Sequence, residues 1–184
     1  MRINVWIALA IVLLTQTGVL GWMVYDRQRV LRDGREIVLK TEPIDPRSLF
    51  RGDYVVLSYP ITRLPVTPPE ELTPNELRYV TLEEKQPGDW AFVAVSKTLP
   101  SSLGTNQVML AGRIVDVWRG GPQEQMQLRF GIESYFVPEG EGKVLEDKVR
   151  TGELKVVVAV DQRGKAAIKG LVLDGNVRYD EPLF

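Results

Sequence analysis

The sequence predicts a mainly β protein: one antiparallel barrel- or sandwich-like domain with short helices, preceded by an N-terminal transmembrane helix. Three observations predict it. Val5–Tyr25 is a run of 21 residues without a formal charge, VWIALAIVLLTQTGVLGWMVY. Beyond it, short apolar segments alternate residue by residue and are separated by turn-forming Gly, Pro and Asp. Of the 184 residues, roughly 150 remain after the apolar run, the size of one domain with its own core. The expected division is an anchor over 1–25, a linker over 26–34 and a β-rich domain over 35–184.

At about 1.5 Å per residue, Val5–Tyr25 reaches about 30 Å, the thickness of a hydrocarbon layer. Trp6 lies near one end, and Trp22 and Tyr25 near the other, as interfacial aromatics do. A cleaved signal peptide would have a shorter apolar run and an A-x-A site after it. A buried core helix rarely goes 21 residues without a charge. An uncleaved anchor in contact with lipid through residues 5–25 is therefore the expectation. Residues 26–34 are polar and extend the helix until Gly34 stops it.

Strand signals then follow one another. Arg35–Thr41 places Ile37 and Leu39 on one face, and Tyr54–Tyr59 is a β-rich run. Tyr79–Leu82, Ala91–Ser96 and Val108–Trp118 come next, the last interrupted by Gly112. Gln125–Ile132 alternates Met126, Leu128 and Phe130, and Leu154–Val160 and Ala166–Leu173 complete the set. Gly120-Gly121-Pro122 and Asp161-Gln162-Arg163-Gly164 read as hairpin connections. Thr62–Asn75, with four prolines, reads as a surface loop. Short helices are expected around Pro46–Phe50 and within Lys143–Arg150. Trp90, Phe92 and Trp118 are expected to pack within the strands.

Composition excludes whole classes of chemistry. The chain has no His and no Cys. This removes a Ser-His-Asp triad, a Cys nucleophile, disulfides, and His- or Cys-ligated metal centres. Lys+Arg is 23 against Asp+Glu at 24, so there is no basic footprint for nucleic acid. No phosphate-binding Gly-rich loop is present, and no cofactor, bound metal or catalytic residue is expected.

The densest segment runs from Ile44 to Tyr59. Asp45 before Pro46 starts a turn, and Gly52 supplies a backbone state that other residues avoid, which predicts a positive φ. From there Tyr54, Val56 and Ser58 share one face, and Val55, Leu57 and Tyr59 the other. This is either a turn-and-strand unit without chemistry or a binding surface built on Arg47, Arg51, Asp53 and Tyr59. A second segment, Glu133–Lys143, contains Glu139 and Glu141 either side of Gly140. Two such carboxylates could face a cation or act as an acid/base pair. The plain alternative is a glycine turn with acidic residues at the start of a following helix.

Gly52-Asp53-Tyr54-Val55-Val56-Leu57-Ser58-Tyr59 fits G-D-Y-x-x-L-x-Y without a mismatch. The chain thereby resembles the bacterial family of GDYXXLXY-domain proteins. The lead-in Pro43–Arg51 and the stretch Phe130–Gly140 are similar to such proteins too, and the resemblance extends from about Val38 to Leu173. It implies a single N-terminal anchor and a β-rich domain, and it carries no established activity. The candidate motif and partner-binding residues are Asp45, Arg47, Arg51, Gly52, Asp53, Tyr54, Leu57, Tyr59, Glu133, Tyr135 and Glu139. The segment also echoes the signal-peptidase pattern S-M-x-P-T-L-x-x-G-D, with Ser48-Leu49 and Gly52-Asp53 in register. Ile44 falls on the nucleophile position, and it has no oxygen to activate.

The expected function is a membrane-tethered, non-catalytic β domain that binds a protein partner, another integral membrane protein, at the membrane surface. The alternative is a membrane-tethered hydrolase using Asp53, Glu133 or Glu139. Sidedness divides the arguments. Arg27, Arg29, Arg32 and Arg35 follow the helix and Arg2 alone precedes it, which by charge count favours a cytoplasmic domain. A four-residue N-terminal stretch is easily retained inside, with the anchor acting as an uncleaved export signal. The expectation is that residues 35–184 lie outside the cytoplasm.

Overall fold

The computed structural model describes residues 5–43, 54–66, 71–121, 123–137, 145, 148–149, 151, 154–173 and 175–178. Helix α1 (Val5–Asp33) leads into β1 (Arg35–Lys40), β2 (Tyr54–Val56), β3 (Arg63–Pro65), β4 (Leu77–Gln86), β5 (Asp89–Ser96) and β6 (Gln107–Trp118). Then come β7 (Gln125–Arg129), β8 (Ser134–Phe136), β9 (Lys155–Val160), β10 (Ala166–Leu173) and β11 (Asn176–Arg178). The fold is mainly β, in antiparallel sheets curled into half-barrels. One sheet has the order β1-β9-β10-β11, a second β3-β7-β6-β4-β5, and a third is the pair β2-β8.

The alternations read from sequence set the core. Ile37, Leu39, Met126, Leu128 and Phe130 are all buried, as are Val55, Leu57 and Tyr59. Both expected hairpins form, β6 pairing with β7 and β9 with β10. Three elements depart from expectation. Thr62–Asn75 is not all loop: the 3-10 turn Pro60–Thr62 leads into β3, which pairs with β7. The β7 strand stops at Arg129, because Gly131 takes φ +82 and turns the chain. The β2 strand ends at Val56: one more in-register bond follows, from the Leu57 N–H to the Glu133 carbonyl at 2.9 Å, and Ser58 then bridges to Glu42 instead. Strands β8 and β11, three residues each, are too short to leave a periodic signal. The Pro46–Phe50 helix and the φ of Gly52 lie outside the described residues; of the Lys143–Arg150 helix, Leu145, Lys148 and Val149 are helical.

β9 is buried on both faces, and the reason is α1. Val156, Val158 and Val160 join the main core. On the opposite face Ala159 lies directly across from Ala167 of β10. Against this flat pair of small side chains α1 lays its last turns, with Val30 and Leu31 buried on Ala167. Gly34 ends the helix there, its N–H donating to the Val30 carbonyl at 3.0 Å. A Cβ at Gly34 would sit 2.4 Å from that carbonyl oxygen and 3.2 Å from the Ala159 Cβ. Ion pairs surround the contact, Lys165 with Asp26 and Lys169 with Glu36. Lys169 is the extra residue of a bulge in β10, which turns it out of the ladder.

The sheets are cross-linked where their edges meet. The Ala111 N–H on β6 donates to the Gly164 carbonyl in the β9–β10 turn at 2.8 Å. Arg35 donates to the Gln107 carbonyl at 2.9 Å and lies 5.3 Å above the Trp90 ring. Arg78, 1% exposed, is charge-paired with Glu76 at 2.6 Å. That hydrogen bond holds the Glu76 carboxyl below its ordinary value.

Candidate functional site

The second half of the octapeptide motif is built into the interior. Tyr59 is 1% exposed, and its hydroxyl donates to the Ile132 carbonyl at 2.8 Å. Burial, with the Glu133 carboxylate adding to it, pushes the Tyr59 phenol well above the ordinary tyrosine value. Leu57 is buried beside it, bonded through its backbone to Glu133. Glu133 in turn folds its carboxylate back on its own turn, accepting the N–H groups of Phe130 at 2.5 Å and Gly131 at 2.9 Å. Tyr135 is buried opposite Val55 in the β2–β8 pair.

Leu57, Tyr59, Glu133 and Tyr135 are thus brought together, though far apart in sequence. The arrangement is a brace: the Glu133 carboxylate closes the 130–133 turn, and the Tyr59 phenol ties that turn to the segment following β2. A Glu133 carboxylate already accepting two backbone donors is poorly placed to act as a general acid or base. Tyr54 is positioned in β2 across from Phe136. Asp45, Arg47, Arg51, Gly52, Asp53 and Glu139 lie outside the described residues.

Beside the brace runs an open cleft of about 590 Å³. Val56 and Val115 give it an apolar floor, and Glu42, Glu133, Arg63 and Arg129 place both signs of charge around it. A second hollow of about 330 Å³ continues from it past Asp116 to Trp118. Arg63 and Gln127, partners in the β3–β7 register, line both, so the two hollows adjoin over that strand pair and are treated together as its groove. Of the aromatics expected to pack within the strands, Trp90 is packed against the core, while Phe92 is 38% and Trp118 61% exposed.

Sequence reasoning missed Arg63, Val115, Arg129 and Trp118 as surface groups of this groove. Val115 reaches it because the register of β6 on β7 shifts between Ile114 and Asp116. No local signal announces a bulge there. Among the described residues no three acidic side chains cluster in a way that could hold a metal ion.

The family model for GDYXXLXY protein matches residues 16–171, and the chain belongs to that family. The match begins inside α1, so the docked end of the helix falls within the matched region. Comparison with curated proteins and with solved structures gives no match.

Proposed function

We propose that this chain, as a member of the GDYXXLXY family, is a non-catalytic β domain tethered in a bacterial membrane. There it holds another integral membrane protein at the membrane surface. The observation that carries the reading is the two-part character of α1. It is long and apolar enough to cross a membrane, and none of its apolar window is buried by the rest of the chain. Its last turns are locked onto the β1-β9-β10 face through Val30 and Leu31. A helix built to pack a core would hide its apolar side chains, and a flexible tether would not be docked. The combination supports a domain held at a fixed height, with restricted diffusion and raised local concentration toward membrane partners.

The groove over β3–β7 is the surface we assign to the partner, since it joins exposed Val56, Val115 and Trp118 to arginines and glutamates at its rim. A photo-crosslinking residue at Val115 in the membrane-inserted full chain tests this. A discrete adduct that disappears in the Arg63→Glu/Arg129→Glu variant is expected. Absence of any adduct at Val115 and at Gln127 would overturn the assignment.

We place residues 35–184 outside the cytoplasm. The interleaving of Asp26, Asp33 and Glu36 with the arginines that follow α1 offsets a part of the charge count that favours the opposite side. A C-terminal alkaline-phosphatase fusion should be active; a silent phosphatase with a fluorescent GFP fusion would reverse the topology.

A further inference from the structure

We infer that the β9–β10 hairpin, residues 161–165, and the α1 residues Arg27 and Arg29 together form a seat for the phosphate headgroups of the leaflet where α1 emerges. This rests on the reading of α1 as a membrane span and adds to it which part of the domain meets the bilayer.

The placement follows from one ion pair and one packing contact. Asp26 is the first charged residue after the uncharged run, and it is bonded to Lys165. Trp22 and Tyr25, with ring centroids 6.3 Å apart, mark the same boundary. Val30 and Leu31 are packed on Ala167, so the hairpin cannot swing away from the helix. With Tyr25 at the edge of the hydrocarbon, Arg27 and Arg29 stand about 3 and 6 Å above it. A headgroup layer is roughly 5–7 Å deep on each side. Both arginines therefore fall within it, and the hairpin is held at the level of Asp26.

The charges left over have the right sign. Asp161 turns one carboxylate oxygen inward, accepting the backbone N–H groups of Arg163 and Lys165 at 2.8 Å each. Asp26 is engaged by Lys165. Arg27, Arg29 and Arg163 are all exposed. At this height around the helix, four cations (Arg27, Arg29, Arg163, Lys165) stand against two carboxylates (Asp26, Asp161), a balance of +2 on a chain whose net charge is −1. Guanidinium groups match phosphate oxygens in paired hydrogen bonds. A lipid surface presents its phosphates at the height where these arginines already stand.

The chain has no Cys, so single probes can be introduced cleanly. The full chain is reconstituted in vesicles of equal parts phosphatidylglycerol and phosphatidylcholine, with a fluorophore on Leu14→Cys or Gln162→Cys. Mid-chain nitroxide lipid should quench the Leu14 probe, and headgroup nitroxide the Gln162 probe. An unquenched Leu14 probe would sink the span reading and this inference with it. A quenched Leu14 probe with an unquenched Gln162 probe would sink this inference alone. Boundary-lipid selectivity for phosphatidylglycerol should fall about fivefold for each of Arg29→Gln and Arg163→Gln. Unchanged selectivity in both variants would overturn the phosphate seat. Inorganic phosphate, compared with chloride at equal ionic strength, should leave selectivity intact; its loss would overturn the assignment to lipid.

Discussion

Two contacts within this domain are stabilised in opposite ways. Where α1 meets the β1-β9-β10 sheet, the contact is made of small apolar groups: Gly34, Ala159 and Ala167 under Val30 and Leu31. Where the segment after β2 meets the 130–133 turn before β8, polar side chains are bonded to backbone: Tyr59 on Ile132, and Glu133 on Phe130 and Gly131 of its own turn. The first is a close-approach surface, sensitive to added volume. The second is a hydrogen-bonded brace, sensitive to lost polar atoms. The family motif therefore belongs, in its described half, to the brace, while the docking of α1 depends on residues the motif does not contain.

The largest expected effect lies where the helix-bearing sheet touches β6. Gly164 has φ +81, and a Cβ there would sit 2.7 Å from the Ala111 nitrogen. Gly164→Ala combines a left-handed backbone penalty with a clash against backbone. Together these should cost about 2–4 kcal/mol. Denaturant unfolding of the full chain measures it, and a loss below about 0.5 kcal/mol, the range of an ordinary surface substitution, would mean that the turn does not bear on β6.

Next is the docking face itself. Ala167→Leu should cost about 1–3 kcal/mol by overfilling the space under Val30 and Leu31. It should also free the Gly34 amide, now bonded to Val30, for hydrogen exchange while the Tyr59 region stays protected. If both regions lost protection together, the two contacts would be one cooperative unit and the contrast drawn between them would fail.

These two variants also mark the limit of sequence reading. Period-two alternation was legible because each strand has one buried face: Ile37 and Leu39, Met126 and Leu128, Val55 and Leu57. The alanines at 159 and 167 carry no such sign. Each looks like an ordinary strand residue, and their meaning arises only when the β9–β10 register sets them opposite each other beneath a helix. The brace was half legible. Leu57 and Tyr59 were placed on one face, but the bond from Tyr59 to Ile132 spans 73 positions and no local pattern encodes it. The groove was not legible at all, because it depends on the β6 bulge and on β3, a three-residue strand.

On the brace side, Tyr59→Phe removes one hydroxyl and leaves the Ile132 carbonyl without its donor. The cost should be about 1–2 kcal/mol at pH 7, the penalty for an unsatisfied buried acceptor. It should leave exchange at Gly34 unchanged. A variant as stable as the parent would show that the hydroxyl bond contributes nothing net.

The smallest effect is the pH dependence of that same gap. The Tyr59 phenol is pushed above its ordinary value by burial and then by Glu133, so the folded state holds its proton more tightly than the unfolded chain does. A raised folded value means that the contribution of this group is complete below the unfolded value, near pH 10, and is lost as pH rises from there toward the folded value. At pH 10 the loss is about 0.4 kcal/mol, where half of the unfolded phenol has ionised and the folded one has not. Phenylalanine cannot ionise, so the Tyr59→Phe variant is spared that loss. The stability gap between parent and variant should therefore be flat from pH 7 to 9 and begin to narrow at pH 10. A double comparison with Gly164→Ala separates this from general alkaline weakening, because that variant keeps Tyr59 and its gap to the parent should not narrow. A Tyr59→Phe gap that stayed constant through pH 11 would show that the phenol is open to water, and the brace would then be looser than its 2.8 Å bond to Ile132 implies.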